Sequence, residues 1–244
     1  MQRLTEIALE KAVGGVFSRS EMACWVGGSP NRQFGLLKRA VNAGQVVRIR
    51  RGLYCLAPKY LRQKVDPLVL AQRIYGPSYI SLETALSYHG WIPEAVYTIT
   101  STSLDRSREF STPLGHFSFT RIPQETFYTE VIRVEKDGSG NAGGTGYGGG
   151  SGSGSGFADG SGLSGPGLHV GGSFLLASPL KALADYVHAH KRDWTSARPV
   201  VGSLRVDEGV LASVEAETFS RLLANYSSLR VRRFLKGLRK DLKK

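Results

Sequence analysis

Cysteine and long apolar runs are both scarce in this sequence, and their scarcity excludes several classes of protein. The 244 residues include two cysteines, Cys24 and Cys55, which are too few for a disulfide framework. We expect both to be reduced and to pack as small core side chains. No run reaches the ~18 apolar residues of a membrane helix, and the first residues lack the apolar core of a secretory signal. The sequence therefore predicts a cytoplasmic protein with no membrane partner.

Metal-binding patterns are also lacking. His188 and His190 lie two positions apart in a predicted helix, and residues at that spacing do not share a helical face. Asp185 can share a face with His188, but two ligands do not make a metal site. Asp185 is also four residues from Lys181, a spacing that predicts a simple ion pair along the helix. We therefore expect no metal ion.

The sequence contains neither a nucleophile with an evident base nor a phosphate-binding loop. Ser81, Glu83 and His89 would project in three directions from one predicted helix, and nothing supplies an oxyanion hole. We expect Glu83 and His89 to have structural roles. The glycines within 138–172 include no G-x-x-x-x-G-K-[ST] pattern, and no strand-to-helix frame surrounds them. Catalytic residues and cofactors are therefore not expected, and the protein is predicted not to be an enzyme.

Positive charge is concentrated at the two ends of the chain. The net charge is +12, and residues 1–57 hold nine Lys/Arg against three Asp/Glu. Residues 219–244 hold nine against one, whereas residues 58–137 hold nine of each sign. Solubility alone does not require this segregation, but a surface that binds a polyanion does.

The first 57 residues have the pattern of a winged helix-turn-helix domain. Ser18 and Glu21 form a capping-box pattern, and Ser29 followed by Pro30 predicts the start of another helix. Glycines follow each predicted helix, and Arg51-Gly52 separates two short apolar-rich segments, which predicts a hairpin, or wing. The predicted helices are 4–12, 19–26 and 30–43, and the predicted strands are 45–50 and 53–56.

The third predicted helix has an apolar face and a basic face. Phe34, Leu37 and Val41 recur at helical spacing, so we expect them to pack inward. An outward basic face can enter the major groove of DNA, and arginines on a wing can contact phosphates or the minor groove. The candidate DNA-binding residues are Asn31, Arg32, Lys38 and Arg39 on the helix and Arg48, Arg50 and Arg51 on the wing. The alternative is a winged helix used for protein contacts, with a solvated basic face.

The rest of the chain, 58–244, is predicted to be one mixed α/β domain, which makes the fold class α+β. Residues 138–172 hold 17 of the 30 glycines, and such a tract cannot bury enough apolar surface to offset its ordering entropy. We interpret it as a disordered insertion within this domain, because loop length is tolerated at little cost. A loop is predicted after about residue 190, before the helices near the C-terminus.

The final predicted helix, 228–242, is strongly basic on one side. Its apolar stripe must pack against the protein, while the other side carries Arg232, Arg233, Lys236, Arg239 and Lys240. This side has three interpretations: a second polyanion-binding surface, a docking face for an acidic protein, or a solvated face with no partner.

Two segments resemble a known family. The first reads Ser81-x-Glu83-x-Ala-Leu-x-x-His89-Gly-x-x-Pro93, and the second, Ala177-Ser-Pro-x-Lys-Ala-Leu-x-Asp185. Both are similar to elements of the AbiEi family of abortive-infection antitoxins, which also act as transcriptional regulators. The recurrence of Lys181 and Asp185 in such an element leaves a fold or partner role open for this pair.

The resemblance implies a protein with two functions. An N-terminal winged helix would bind the operator DNA of its own promoter and repress its operon, and a C-terminal domain would act as antitoxin. The partner implied is a nucleotidyltransferase-like toxin, neutralised in the type IV manner, without stable binding. One alternative is a stand-alone transcriptional regulator with no toxin. An enzyme acting on nucleic acid is a second rival, but it requires a carboxylate pair or metal cluster that the sequence does not offer.

Overall fold

The fold is α+β. The computed structural model describes residues 4–61, 63–136 and 172–244. In chain order the first elements are α1 (Leu4–Lys11), β1 (Val16–Ser18), α2 (Arg19–Val26), α3 (Pro30–Asn42), β2 (Val46–Arg50) and β3 (Leu53–Leu56). The three strands form a sheet in the order β1-β3-β2 with antiparallel pairing throughout. The predicted helices and hairpin of this segment therefore form, with bounds within two residues of those expected.

A second sheet of six strands organises the rest of the described chain. Its strands are β4 (Ser78–Ile80), β5 (Thr98–Ser103), β6 (Arg108–Thr112), β7 (Gly115–Arg121), β8 (Val131–Glu135) and β9 (Ser173–Ala177). The strand order is β6-β7-β5-β4-β9-β8. The pairs β4–β9 and β5–β7 are parallel, and the other three pairs are antiparallel.

Seven helices complete this region of the described chain. They are α4 (Pro67–Ile74), α5 (Leu82–Tyr88), α6 (Pro179–Ala189), α7 (Arg198–Leu204), α8 (Glu208–Ala212), α9 (Ala216–Asn225) and α10 (Leu229–Asp241). The central one is α6, which packs against α5, α9, α10 and β9. Residues 180–187 are buried on every side of α6, so this helix is the middle of the core. The predicted loop after residue 190 is wrong in part, because it contains α7 and α8.

The glycine tract lies between two strands that pair directly. Ile132 of β8 is opposite Leu176 of β9, and the two strands run antiparallel. The strands that flank the tract thus belong to one sheet, as an insertion within one domain requires. Residues 137–171 themselves, and with them the prediction of disorder, lie outside the described residues.

The hydrophobic interior is continuous across residue 57. A smaller cluster around Phe17, Met22 and Leu37 lies among the N-terminal helices. The larger cluster, built on the six-stranded sheet, also includes Val16, Ile49, Leu53 and Cys55. An ion pair between Arg73 and Glu21 at 2.6 Å joins the same two regions. Cutting the chain at residue 57 would therefore expose apolar side chains from both sides of the cut.

The two cysteines occupy different environments. Cys55 is buried, and burial raises the pKa of its thiol to about 11. Cys24 lies on α2 and is exposed, which corrects the expectation that both are core residues. Both thiols are free, as expected.

Candidate nucleic-acid interface

Local hydrogen bonds fix the starts of α2 and α3, and the two serine caps among them were predicted from the sequence. The Ser18 hydroxyl accepts from the Glu21 backbone N–H, and the Glu21 carboxylate accepts from the Ser18 N–H, so the capping box at α2 is confirmed. Ser29 caps α3 by accepting from the N–H of Arg32. The Gln33 side chain donates to the carbonyls of Gly27 and Gly28, at 3.4 and 3.2 Å, and ties α3 back to the turn.

The basic face of α3 is open to solvent. Leu37 and Ala40 are the buried residues of this helix. Asn31, Arg32, Lys38 and Arg39 are all exposed, so the predicted candidates on the helix share the outward side. The surface therefore has the polar and cationic groups that contact with base edges and phosphates requires.

Phe34 is the exception to the predicted division of α3. Its side chain is 57% exposed, although it was expected to pack inward with Leu37. The buried residues of α3 are Leu37 and Ala40, and because successive residues are about 100° apart around a helix, Phe34 lies about 60° from Leu37 and about 120° from Ala40. Phe34 consequently lies at the border, on the side of Asn31 and Lys38. The prediction that Phe34 packs inward is wrong.

The β2–β3 hairpin presents the other predicted cations. Ile49 is buried, while Arg48 and Arg50 on either side of it are exposed, as strand alternation requires. The pairing of β2 with β3 is irregular between Arg48 and Arg50. At the tip, the Arg50 guanidinium donates to the Arg51 carbonyl at 3.1 Å, and Gly52 takes a positive φ of 81° that turns the chain.

All seven predicted residues thus lie on two consecutive elements that pack against each other, α3 and the β2–β3 hairpin. Across the described ranges 4–61, 63–136 and 172–244, no carboxylate forms an ion pair with any of their six cations. Their charges are therefore not neutralised within this part of the protein, and the surface remains a cationic one.

The basic C-terminal helix divides into two parts. Its apolar stripe, Val231, Phe234, Leu235 and Leu238, is buried, as predicted. Two of the predicted cations are engaged with backbone: Arg232 donates to the Tyr226 carbonyl at 3.2 Å and Arg239 to the Lys244 carbonyl at 3.1 Å.

The other three, Arg233, Lys236 and Lys240, are exposed on one side of α10. In the same described ranges, none of them has a carboxylate partner. They form the part of this helix that is open to a partner.

The residues of the two family-like segments meet in the interior. The ammonium of Lys181 lies 2.9 Å from Asp185 Oδ1, and both side chains are fully buried. The hydroxyls of Tyr79 and Ser81 each donate to Asp185 Oδ2 at 2.8 Å. The hydroxyl of Tyr226 donates to Asp185 Oδ1 and lies 3.0 Å from Lys181 Nζ. The predicted simple helical pair is thus the centre of a buried polar network.

The charges in this network depend on one another. Burial lowers the pKa of Lys181, while Asp185 acts to raise it. Burial and the charge of Asp185 raise the pKa of Tyr79 well above its usual value, and the same two causes raise that of Tyr226. Both phenols are therefore held protonated and act as donors. Each side chain in the network has a hydrogen-bond partner within the group, which is what a structural role in the core requires.

Sequence reasoning did not identify Tyr79 and Tyr226 as members of this network. Tyr226 comes from the end of α9, 41 residues from Asp185, and Tyr79 from β4, 106 residues away. The one available signal was the presence of Lys181 and Asp185 in a helix that is otherwise apolar along its middle, since charged residues are almost never fully buried unless paired.

Ser81, Glu83 and His89 are directed to three separate partners. Ser81 donates to Asp185 rather than capping α5. Glu83 Oε1 lies 2.9 Å from His190 Nε2; burial acts to raise the pKa of Glu83, but hydrogen bonds from His190 and from its own backbone outweigh this and lower it. Burial lowers the pKa of His89, whose Nε2 lies 2.8 Å from the Ala177 carbonyl. The three do not form a catalytic group.

The histidines near residue 190 also do not converge. His190 is taken by Glu83, Asp185 by Lys181, and Asp193 by Arg230 at 2.7 Å. Throughout the part of the chain that the structure describes, no group of three or more His, Cys, Asp or Glu side chains is placed to hold a metal ion.

Comparison with known proteins gives no family assignment: no protein-family model matches the chain, and no curated protein matches it either. The resemblance to AbiEi antitoxins therefore stays a prediction. Among the described helices, none combines the length and the apolar character that crossing a bilayer requires.

Proposed function

We propose that the N-terminal segment is a winged helix-turn-helix domain that binds the operator DNA of its own promoter and represses the operon. The order of its elements, with β1 paired to the hairpin strand β3, supports this interpretation. The observation that carries the proposal is the cationic surface of α3 and the hairpin, which has no carboxylate partner in the described chain.

The physical basis of this binding is charge neutralisation together with fit. An α-helix fits the ~12 Å width of the major groove, and arginine and asparagine can hydrogen-bond base edges there. The cations of the hairpin would contact phosphates and release counterions, which gives an affinity that falls with salt. The alternative is that this segment makes protein contacts and that its basic face is only solvated. That alternative predicts no specific binding to promoter DNA.

The first prediction concerns the two cations in the middle of α3. The double variant Lys38→Ala with Arg39→Ala is expected to weaken binding to the protein's own promoter by about 10- to 100-fold. Because two phosphate or base contacts are removed, the slope of log affinity against log salt should also become shallower by about one to two. Band-shift titration at two salt concentrations measures both quantities.

A charge-matched variant controls for net charge in this experiment. Lys191→Ala with Arg192→Ala removes the same two charges from exposed positions after α6 and should leave the affinity nearly unchanged. Absence of promoter binding by the wild-type protein, or equal losses in the two double variants, would contradict the proposal.

We further propose that residues 58–244 act as antitoxin toward a nucleotidyltransferase-like toxin, with the whole protein cytoplasmic and not an enzyme. The support is the pair of family-like segments, whose residues are joined through Lys181 and Asp185. The exposed cations Arg233, Lys236 and Lys240 are the candidate surface for a toxin or for a second stretch of nucleic acid. The alternative is a stand-alone regulator, and an adjacent reading frame without a toxin would favour it.

The second prediction separates the two proposed activities. The full-length Lys38→Ala, Arg39→Ala variant is expected to lose repression of a promoter reporter while still rescuing cells that express the cognate toxin. The full chain is used because the core is continuous across residue 57. Lys181→Met, which is expected to lower the free energy of unfolding by about 3–5 kcal/mol, serves as the control for loss of rescue through lower stability and protein level. Failure of the folded variant to rescue at wild-type protein level would show that antitoxin activity depends on the DNA-binding surface.

A further inference from the structure

We propose that Phe34 reads thymine: its ring contacts the C5-methyl group of a thymine in the major groove of the operator. This inference rests on the proposed DNA binding and adds the base that the helix selects. The starting observation is that a phenylalanine is 57% exposed on the most cationic helix of the N-terminal segment.

Among the described residues, the exposed ring has no packing role that accounts for it. Phe34 belongs to neither hydrophobic cluster, although Val41 on the same helix packs against the smaller one. A phenylalanine left in water forgoes the roughly 25 cal/mol per Å² that burial of its apolar surface would contribute. Contact with an apolar group of a ligand would recover part of that free energy.

The position of Phe34 on α3 favours DNA as that ligand. Asn31 and Lys38, three residues before it and four after, share its side of the helix and are exposed. Phe34 also lies in the second turn of α3, and the N-terminal part of a recognition helix is the part that reaches base edges. The cations beside the ring are complementary in charge to a polyanion such as DNA. They would not be complementary to an apolar protein surface.

Gly35 is consistent with close approach at this point. It lies in the middle of α3, where glycine is less favourable than alanine by about 1 kcal/mol. A Cβ built there would meet only Arg39 Nη1, at 3.7 Å, so no packing within the described protein demands glycine. Because Gly35 has no side chain, nothing projects from the helix at that position, and the helix backbone can lie near the bases.

The chemistry of the groove identifies the base. Thymine is the one DNA base that presents a methyl group in the major groove, and apolar side chains recognise it by contact. Asn31 can form two hydrogen bonds with the edge of adenine. Together they would favour an operator in which the adenine contacted by Asn31 either pairs with the thymine contacted by Phe34 or lies in the neighbouring base pair.

The test removes only the methyl group. Duplexes are first selected from a random pool by the full-length protein, and each thymine of the selected site is then replaced by deoxyuridine, which keeps every hydrogen bond. At one thymine in each bound site, the wild-type protein should lose about three- to tenfold in affinity, as expected for one methyl contact. Phe34→Ala should bind the thymine duplex more weakly and show no further loss with deoxyuridine.

Two controls and an independent measurement define the remaining outcomes. Tyr97→Ala removes another exposed aromatic, 91% exposed and remote in sequence, and should keep the full sensitivity to deoxyuridine. Phe34→Leu should keep part of it. If no duplex is selected, the proposed DNA binding itself fails. The inference is overturned if wild type binds but no deoxyuridine lowers its affinity, or if deoxyuridine still lowers the affinity of Phe34→Ala. If deoxyuridine has no effect and Phe34→Ala changes its oligomeric state in sedimentation, the ring instead contacts a second copy of the chain.

Discussion

Replacing Lys181 with methionine is expected to lower the free energy of unfolding by about 3–5 kcal/mol. The substitution keeps most of the apolar stem but leaves Asp185, which is fully buried, without its cation at 2.9 Å. A carboxylate in that position cannot reach water, so the desolvation penalty of its charge is then offset only by the hydroxyls of Tyr79, Ser81 and Tyr226. Since small domains are stable by only about 5–15 kcal/mol, the variant should unfold at much lower urea concentration.

The size of this effect is separable from a general effect of losing a lysine. Lys181→Met combined with Asp185→Asn removes both charges but keeps an oxygen that can accept from the buried hydroxyls, so it should recover part of the loss. Lys191 is exposed just after α6, so Lys191→Met should change the free energy of unfolding by less than about 0.5 kcal/mol. A loss below about 1 kcal/mol for Lys181→Met would show that the buried ion pair does not stabilise the core.

The network also explains why the two family-like segments occur together. Ser81 belongs to the first segment and Lys181 and Asp185 to the second, and the hydrogen bonds of Ser81 and Tyr79 to Asp185 join strand β4 to helix α6. His89 adds a further link through the Ala177 carbonyl. Variants of these residues are therefore expected to report on folding before they report on any partner.

Local signals were enough to predict the N-terminal elements. Ser18, Glu21 and Ser29 determine where α2 and α3 begin, because their side chains hydrogen-bond N–H groups within three residues. The exposure of the seven predicted polar residues also followed from chemistry, since arginine and lysine are almost always exposed unless paired. A solvated basic face has the same sequence pattern as a DNA-binding one, and salt-dependent binding to the promoter distinguishes the two.

Predictions that depended on distant residues were less successful. Phe34 was assigned inward because position i−3 from Leu37 lies near the same face, but the true boundary depends on which neighbours cover the helix. The partners of Asp185 are up to 106 residues away in the sequence, and no local pattern indicates them. The short helices α7 and α8, of seven and five residues, are too short to show an apolar period.

Gly237→Ala is expected to lower the free energy of unfolding by about 2–3 kcal/mol, although alanine is the better helix former. Gly237 lies in the middle of α10, and a Cβ there would be 1.7 Å from the Thr195 carbonyl oxygen and 2.6 Å from its carbon. These are backbone atoms, so they cannot rotate away. The helix would have to move off the segment that it packs against, where the Asp241 carboxylate also accepts from the Ala197 N–H at 2.8 Å.

The matched variant is Gly35→Ala, the same change in the middle of α3. Its Cβ would meet a single flexible atom at 3.7 Å, so the intrinsic preference for alanine should prevail and raise stability by up to about 1 kcal/mol. Urea denaturation of the two variants should therefore give shifts of opposite sign. A gain in stability for Gly237→Ala would mean that helix propensity outweighs the close contact between α10 and Thr195, and a loss for Gly35→Ala would mean that the glycine of α3 is needed for a reason other than packing.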